Sequence, residues 1–144
     1  MNQAETPLQR VQSSFERQGL MCLLGAAVER VEPGICVLSL PYSDKVTQQQ
    51  AGFHGGAIGA LADIAAGYAG LTQTPAGMEV VTVEYKINFL ASCQGGKLLA
   101  TGRVTKAGKR VLVTSAEVVH VADDGHETVC AVLQQTLMAV PKTY

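Results

Sequence analysis

The chain has 144 residues and a formal net charge of -1, and hydrophobic residues make up 47% of it against 16% charged residues. A chain of this length is in the size range of one domain, which buries roughly two thirds of its unfolded surface. We therefore predict a single domain over residues 1–144. The near-neutral charge gives no reason to expect nucleic acid or a membrane as a partner. The apolar composition predicts that part of the surface is hidden in an oligomer.

Neither the cysteines nor the first residues indicate an exported protein. The cysteines form no CxxC pair, which argues against a zinc ribbon and a disulfide framework and predicts reduced, buried thiols; they are Cys22, Cys36, Cys93 and Cys130. The N-terminal residues lack the basic and apolar regions of a secretory leader. The three histidines lack ligand spacing, so we expect no metal. These features predict a cytoplasmic protein.

Helical and strand patterns follow one another along the chain. A Thr-Pro pair and an apolar repeat predict one short helix within residues 1–19. Two strands are predicted at about 20–32 and 35–41, joined by a Glu-Pro-Gly turn into a hairpin. After a polar loop, a helix that is apolar nearly all round is predicted at about 57–71, which is typical of a core helix.

The second half of the chain has the period of a sheet. Apolar and polar side chains alternate from residue 80 onward, which predicts a strand with one face on the core; its apolar positions are Val81, Val83, Tyr85, Ile87 and Phe89. Three more strands are predicted at about 96–106, 110–122 and 126–140, and their short turns require antiparallel neighbours. Since such a sheet cannot bury its apolar face alone, we predict an α+β fold in which one antiparallel sheet of about six strands wraps around the long helix.

One acidic residue lies where the core helix should be apolar. Asp63 is flanked by Leu, Ala and Ile, and aspartate is rarely buried without a partner, so we predict a functional carboxylate. Its charge also argues against a membrane span in the apolar stretch 53–72. Gly55 and Gly56 precede this helix, and unpaired N–H groups at its positive end would suit a carbonyl oxygen that gains negative charge.

The run Gln48-Gln-Gln-Ala-Gly-Phe-His54-Gly55-Gly56, with Asp63 nine residues after the histidine, resembles the active-site segment of the PaaI-like hotdog thioesterases. The resemblance covers about residues 20–140 and implies a hotdog core there. It implies that Gly55, with His54 beside it, gives its N–H to the thioester carbonyl. It also implies that Asp63 is the general base or the nucleophile.

The same resemblance implies supporting roles for further residues. Gln48 occupies the place of a polar residue, often Asn, that helps to hold the carbonyl or the water. Thr82 occupies the place of a Ser or Thr that supports the carboxylate. Such a site needs no cofactor, because a thioester is already activated. Candidates for binding the phosphates of coenzyme A, with an ordinary solvated turn as the alternative, are Arg103, Lys106, Lys109 and Arg110.

These residues together predict an acyl-CoA thioesterase, and the acyl group stays open. Two alternatives remain: a hotdog hydratase or dehydratase of enoyl or hydroxyacyl thioesters, and a non-catalytic acyl-CoA binding module. Gly55 and Asp63 are eight residues apart, or about 12 Å along one helix axis, so one chain can hardly place both against one carbonyl group. We therefore expect a homodimer, alone or as a dimer of dimers, in which each site takes Gly55 from one chain and Asp63 from the other.

Overall fold

The computed structural model describes residues 4–144 as one antiparallel sheet packed on one long helix, with two short helices ahead of it. A 3-10 turn at Asp44–Val46 lies in the loop before the long helix. In chain order the elements are α1 (Pro7–Phe15), α2 (Gly19–Leu24), β1 (Ala27–Glu32), β2 (Ile35–Pro41), α3 (Gly55–Leu71), β3 (Met78–Phe89), β4 (Lys97–Ala107), β5 (Val111–Val121) and β6 (Glu127–Pro141).

The six strands have the spatial order β1-β2-β4-β5-β6-β3, and every neighbouring pair is antiparallel. The helix α3 crosses the inner face of this sheet. A Cβ atom on Gly102 of β4 would lie 2.1 Å from the carbonyl oxygen of Ala65, so only glycine allows this close approach of helix and sheet. The predicted α+β fold, one antiparallel sheet wrapped around one long helix, is confirmed.

The helix α3 forms the centre of the core. Leu61, Ala62, Ala65 and Ala69 are fully buried in it. It begins two residues earlier than predicted, because His54 caps its first turn. The guanidinium of Arg10 in α1 binds the end of α3 and the loop that follows it. It donates to the backbone oxygen of Leu71, the last residue of α3, at 3.2 Å, to that of residue 74 at 2.7 Å, and to those of residues 75 and 78. Within residues 4–144, no helix is long and apolar enough to cross a membrane.

The segment ahead of β1 differs from the prediction. Residues 19–24 form the helix α2, and only Ala27–Glu32 is extended, so the strand predicted from residue 20 is wrong in its first half. The Leu and Met side chains of this segment are good helix formers, and Gly25, at a φ of 81°, ends the helix in the left-handed conformation. Met21 is the buried residue of α2. The next residue, Cys22, is exposed, which corrects the prediction of a buried thiol at that position.

The alternation of β3 predicted that one face of the strand would lie on the core along its whole length. The structure differs from this prediction. Its pairing with β6 shifts by one residue just after Thr82, as in a β-bulge. Thr82, just before the shift, faces α3. Beyond the shift the residues that face α3 are Tyr85 and Phe89, at odd-numbered positions. The sequence alternates without a break, but the extra residue reverses the orientation of the side chains.

Two apolar side chains of β3 consequently point away from α3. Val81 and Val83 are 46% and 57% exposed. Tyr85 and Phe89 also keep about half of their surface exposed, because β3 is an edge strand with no neighbour on its outer side within residues 4–144. The edge of the sheet at β3 is therefore an uncovered apolar surface.

Candidate active site

A carboxylate and a hydroxyl meet between α3 and β3. Asp63 lies half-buried in the middle of α3, and the hydroxyl of Thr82 donates a hydrogen bond to its Oδ1 at 2.7 Å. Burial raises the pKa of the Asp63 carboxyl, and the hydrogen bond from Thr82 offsets part of this effect, so that the pKa remains above its ordinary value. A carboxylate held in one orientation with a raised proton affinity is suited to general-base catalysis.

A buried side-chain amide of the sheet is hydrogen-bonded to the backbone of Asp63. Gln135 of β6 is only 1% exposed, and its Nε2 donates to the backbone oxygen of Asp63 at 3.2 Å. The sequence reasoning missed this residue. The sequence does contain a pattern that could have identified it. Gln135 lies at an inward position of β6 between the buried Leu133 and Leu137, where the alternation predicts an apolar side chain.

The contact between Thr82 and Asp63 predicts a change in pH dependence. Thr82→Val removes the hydrogen bond that favours the ionised carboxylate, so the pKa of Asp63 should rise further. A base must be ionised to act, so the acid limb of the kcat/KM profile should move to higher pH. Thr82→Ser keeps the hydroxyl and should keep the profile. An unchanged acid limb in Thr82→Val would contradict the assignment of that limb to Asp63.

The start of α3 offers one free backbone donor. The Nδ1 atom of His54 accepts from the Gly56 N–H at 2.7 Å, and a Cβ atom on Gly56 would lie 2.9 Å from that nitrogen. Gly56 is therefore needed for this cap, and its N–H is used within the chain. The N–H of Gly55 has no acceptor among residues 4–144. It lies at the positive end of α3, where a ligand oxygen with developing negative charge would be stabilised.

Gln48 lies beside this free donor. Gln48 and Gly55 line one groove of about 350 Å³, together with Phe53 and Phe89. The side-chain oxygen of Gln48 accepts from the backbone N–H of Gln50. Its Nε2 protons are then available to a ligand in the groove. The structure thus brings together Gln48 and Gly55, with His54 next in the chain.

Asp63 and Thr82 line a different cavity, of about 410 Å³. In one chain, the predicted residues therefore fall into two groups at separate cavities. The carboxylate group is at the middle of α3, and the donor group with Gly55 is at its N-terminus. This division agrees with the helical distance of about 12 Å between Gly55 and Asp63.

The predicted basic cluster is near neither group in the same chain. Val104 donates its N–H to the backbone oxygen of Gly34, whose own N–H donates to the hydroxyl of Thr72 just after α3. These bonds place the β4–β5 hairpin at the C-terminal end of α3. The hairpin and the strand before it carry the four exposed cations Arg103, Lys106, Lys109 and Arg110.

A six-stranded antiparallel sheet wrapped around one apolar helix is a hotdog fold. Comparison with family models agrees with this class: residues 52–125 match the Thioesterase superfamily. The chain belongs to that superfamily of hydrolases, so the expected family is confirmed.

Individual relatives agree with this assignment. A thioesterase family protein from Silicibacter pomeroyi is 34% identical in sequence, with a TM-score of 0.91 over 94% of this chain and 99% of that one. The E. coli PaaI protein, from the phenylacetic acid degradation operon, shares the fold at a TM-score of 0.84 and 24% identity, covering 95% of each chain. A 1,4-dihydroxy-2-naphthoyl-CoA hydrolase of Listeria monocytogenes is 29% identical, covering 86% of this chain and 97% of its own.

Proposed function

We propose that the protein is an acyl-CoA thioesterase, which hydrolyses a thioester to a free acid and coenzyme A. The observation that carries this proposal is the half-buried Asp63, which is oriented by Thr82 and open to a cavity large enough for a small acyl group. The superfamily makes a thioester the expected substrate. The relative from Listeria is named as a hydrolase of a coenzyme A thioester.

The residues supply what this reaction needs. In the general-base route, Asp63 takes a proton from a water molecule as that water attacks the carbonyl carbon. The carbonyl oxygen gains negative charge and accepts from the N–H of Gly55, with Gln48 as a second donor. Collapse of this intermediate expels the thiolate of coenzyme A, and Asp63 returns the proton. In the nucleophilic route, Asp63 attacks the carbonyl carbon and the C–S bond breaks, which releases the thiolate of coenzyme A and leaves an anhydride on Asp63 that water then hydrolyses.

A second copy of the chain would complete the site. Thr82 contacts Asp63, and Tyr85 lies against Gly59, its hydroxyl 3.5 Å from where a Cβ atom would stand. The strand β3 therefore runs alongside α3 in the opposite direction. Gly59 is halfway between Gly55 and Asp63, so a two-fold axis beside Gly59 and Tyr85 would bring Asp63 of one chain towards Gly55 of the other.

The uncovered edge of β3 supports such a dimer. It is 12 residues long and lies at the end of the sheet. A long, apolar edge strand tends to pair with another strand, because its N–H and C=O groups have no partner. Two copies of β3 pairing antiparallel would continue the sheet from one chain into the next and would cover the exposed side chains Val81, Val83, Tyr85 and Phe89. We propose this homodimer, alone or within a dimer of dimers, as the active form.

The same arrangement gives the basic hairpin a role in binding coenzyme A. With the two α3 helices antiparallel, the C-terminal end of one helix lies beside the N-terminal end of the other. The cations at the β4–β5 hairpin of one chain would then be at the same end as Gly55 of its partner. There they could meet the phosphates of coenzyme A.

A salt titration tests this role. Exposed cation–phosphate contacts weaken as salt increases, so KM for a CoA thioester should rise between low and moderate ionic strength. The rise should be smaller in a Lys109→Ala, Arg110→Ala double variant, while kcat changes little. A KM independent of salt would show that the hairpin is ordinary solvated surface.

The proposed activity is tested with a panel of CoA thioesters of different acyl size, with release of free thiol as the readout. Hydrolysis of at least one thioester by the wild type, lost in Asp63→Asn, is the expected result. Hydration of an enoyl-CoA without thiol release would support the hydratase instead. Measurable binding with unchanged thioester after long incubation would indicate a binding module.

A further inference from the structure

Two buried polar side chains of the sheet lie against α3, and the proposed reaction uses neither of them. Gln135 of β6 is 1% exposed and Thr114 of β5 is fully buried, and the two residues are directly opposite each other in the pairing of these strands. Gln135 donates to the backbone oxygen of Asp63 at 3.2 Å. Thr114 also faces the helix, since its Cγ2 atom would lie 3.5 Å from a Cβ atom on Gly70.

These two side chains lower the stability of the fold. A backbone oxygen can only accept, so the amide nitrogen of Gln135 must be the atom that points to Asp63. Within residues 4–144, the other amide atom, Oε1, has no hydrogen-bond partner, and neither has the hydroxyl oxygen of Thr114. Buried polar atoms of this kind lose their hydrogen bonds to water and gain none in the protein. An apolar side chain of similar size would therefore be more stable at either position.

The backbone of α3 does not need the hydrogen bond from Gln135. Asp63 lies in the middle of the helix, where its backbone oxygen accepts from the N–H four residues later, that of Gly67. The amide of Gln135 thus adds a second bond to an oxygen that already has a donor. A side chain that lowers stability without being needed by the helix is typical of a functional site.

The helix does need a directional contact at this point. The buried positions between residues 62 and 70 of α3 are alanine or glycine, apart from Tyr68, which contacts α1. Burial of apolar surface has no preferred direction, and methyl groups form only shallow ridges, so such a face resists sliding weakly. Within residues 4–144, the bond from Gln135 is the one hydrogen bond that joins a strand to the backbone of α3. It sets where Asp63 lies on the sheet.

The carboxylate of Asp63 depends on that position. Thr82 is on β3, which is the neighbour of β6, and it donates to Oδ1 of Asp63 at 2.7 Å. A shift of α3 by about 1 Å would stretch this contact beyond the range of a hydrogen bond. The same shift would move the carboxylate away from a bound thioester. Two neighbouring strands thus hold Asp63, one at its backbone and one at its side chain.

We propose that Gln135 is a positioning residue of the thioesterase site, which holds α3 on the sheet so that the carboxylate of Asp63 meets Thr82 and the thioester. The inference rests on the proposed thioesterase function and adds a residue to its site. Gln135 is too deeply buried to touch a substrate, so it acts through Asp63. Thr114 makes no hydrogen bond to α3 and has no such role.

The test is the replacement Gln135→Leu, which removes the unpaired oxygen together with the bond to Asp63. We expect kcat to fall by about ten- to a hundredfold, the scale of a catalytic group misplaced by about 1 Å. KM should change less than kcat, because the substrate contacts stay in place. The Tm should equal or exceed that of the wild type, so the loss of activity cannot come from a weaker fold.

Thr114→Val is the matched control. It removes the other unpaired atom of the same layer and keeps the shape of the side chain, so the Tm should again not fall, while kcat stays unchanged. Thr82→Val tests the route of the effect. If Gln135 acts on the contact between Thr82 and Asp63, the loss of kcat in the double variant should be smaller than the product of the two single losses.

A folded Gln135→Leu protein with the wild-type kcat, a fall of kcat together with a lower Tm, or an equal loss in Thr114→Val would overturn the proposal. If Gln135→Leu does not fold, Gln135→Met fills the same space with a more adaptable side chain and is measured in the same way. If the wild type hydrolyses no thioester, the thioesterase function fails. Crystal structures of the wild type and the variant then test the positioning alone: we expect the distance from Thr82 to Asp63 to exceed about 3.5 Å in the variant, and an unmoved α3 would contradict this.

Discussion

Replacing Asp63 with asparagine should lower kcat by about two or more orders of magnitude, the usual scale for general acid–base catalysis. Asparagine has nearly the same shape and can still accept from Thr82, but it can neither take a proton from water nor attack the thioester. The fold should survive. Burial raises the pKa of Asp63 in the folded chain, so the folded state binds more protons and loses stability as pH rises through that pKa. At neutral pH an uncharged asparagine removes this destabilisation.

Steady-state kinetics on the best thioester of the panel, together with thermal unfolding at neutral pH, measure both effects. Asp123→Asn is the matched control, since it makes the same chemical change on an exposed carboxylate in the β5–β6 turn. Asp63→Asn should have a Tm equal to or above that of the wild type. A purified Asp63→Asn protein that hydrolyses the thioester at nearly the wild-type rate would show that Asp63 is not the catalytic carboxylate.

Replacing Gly55 with proline should lower kcat by about 10²- to 10³-fold, the measured scale for one oxyanion donor. Proline has no N–H, and its fixed φ is well suited to the first position of a helix. The new Cβ atom would lie 3.2 Å from the Cζ atom of Phe89. That ring is 54% exposed and can move by a few tenths of an ångström.

Gly55→Ala is the control for that contact. It adds the same Cβ atom but keeps the N–H, so its kcat should stay within about tenfold of the wild type, while the proline variant falls far below both. KM should change less than kcat, because the donor acts mainly on the charge that develops in the transition state. Equal losses in the two variants would assign the effect to crowding at Phe89 and would remove Gly55 from the oxyanion site.

The parts of the fold that could be predicted are those with a clear local period. The apolar helix with Asp63 inside it and the turns between β4, β5 and β6 were readable from single segments, and these predictions are confirmed. The helix α2 was not, because five of its six residues are Leu, Met or Cys, and so short an apolar run has the same character in a strand and in a helix. The bulge in β3 leaves the alternation of the sequence intact and shows only in the pairing with β6.

The two groups of the candidate site differ in the same way. Gly55 could be placed at the start of α3 from its position just before the apolar run, whereas the roles of His54 and Gln48 beside it came from the family resemblance. The contact of Thr82 with Asp63 came only from the family resemblance, since it joins two elements. The contact between Ser14 and Tyr144 could not be predicted at all, because it depends on how α1 and the segment after β6 meet beside α3.

Subunit mixing tests most directly the claim that Asp63 of one chain and Gly55 of another form one site. Chains carrying Asp63→Asn and chains carrying Gly55→Pro, each inactive alone, are refolded together, and the mixed dimers are isolated by two different affinity tags. Each mixed dimer should contain one site with both substitutions and one with neither. Its activity should therefore return to as much as about half that of the wild-type dimer. Mixed dimers that form and stay inactive, or a wild-type enzyme that is fully active as a monomer, would contradict the shared site.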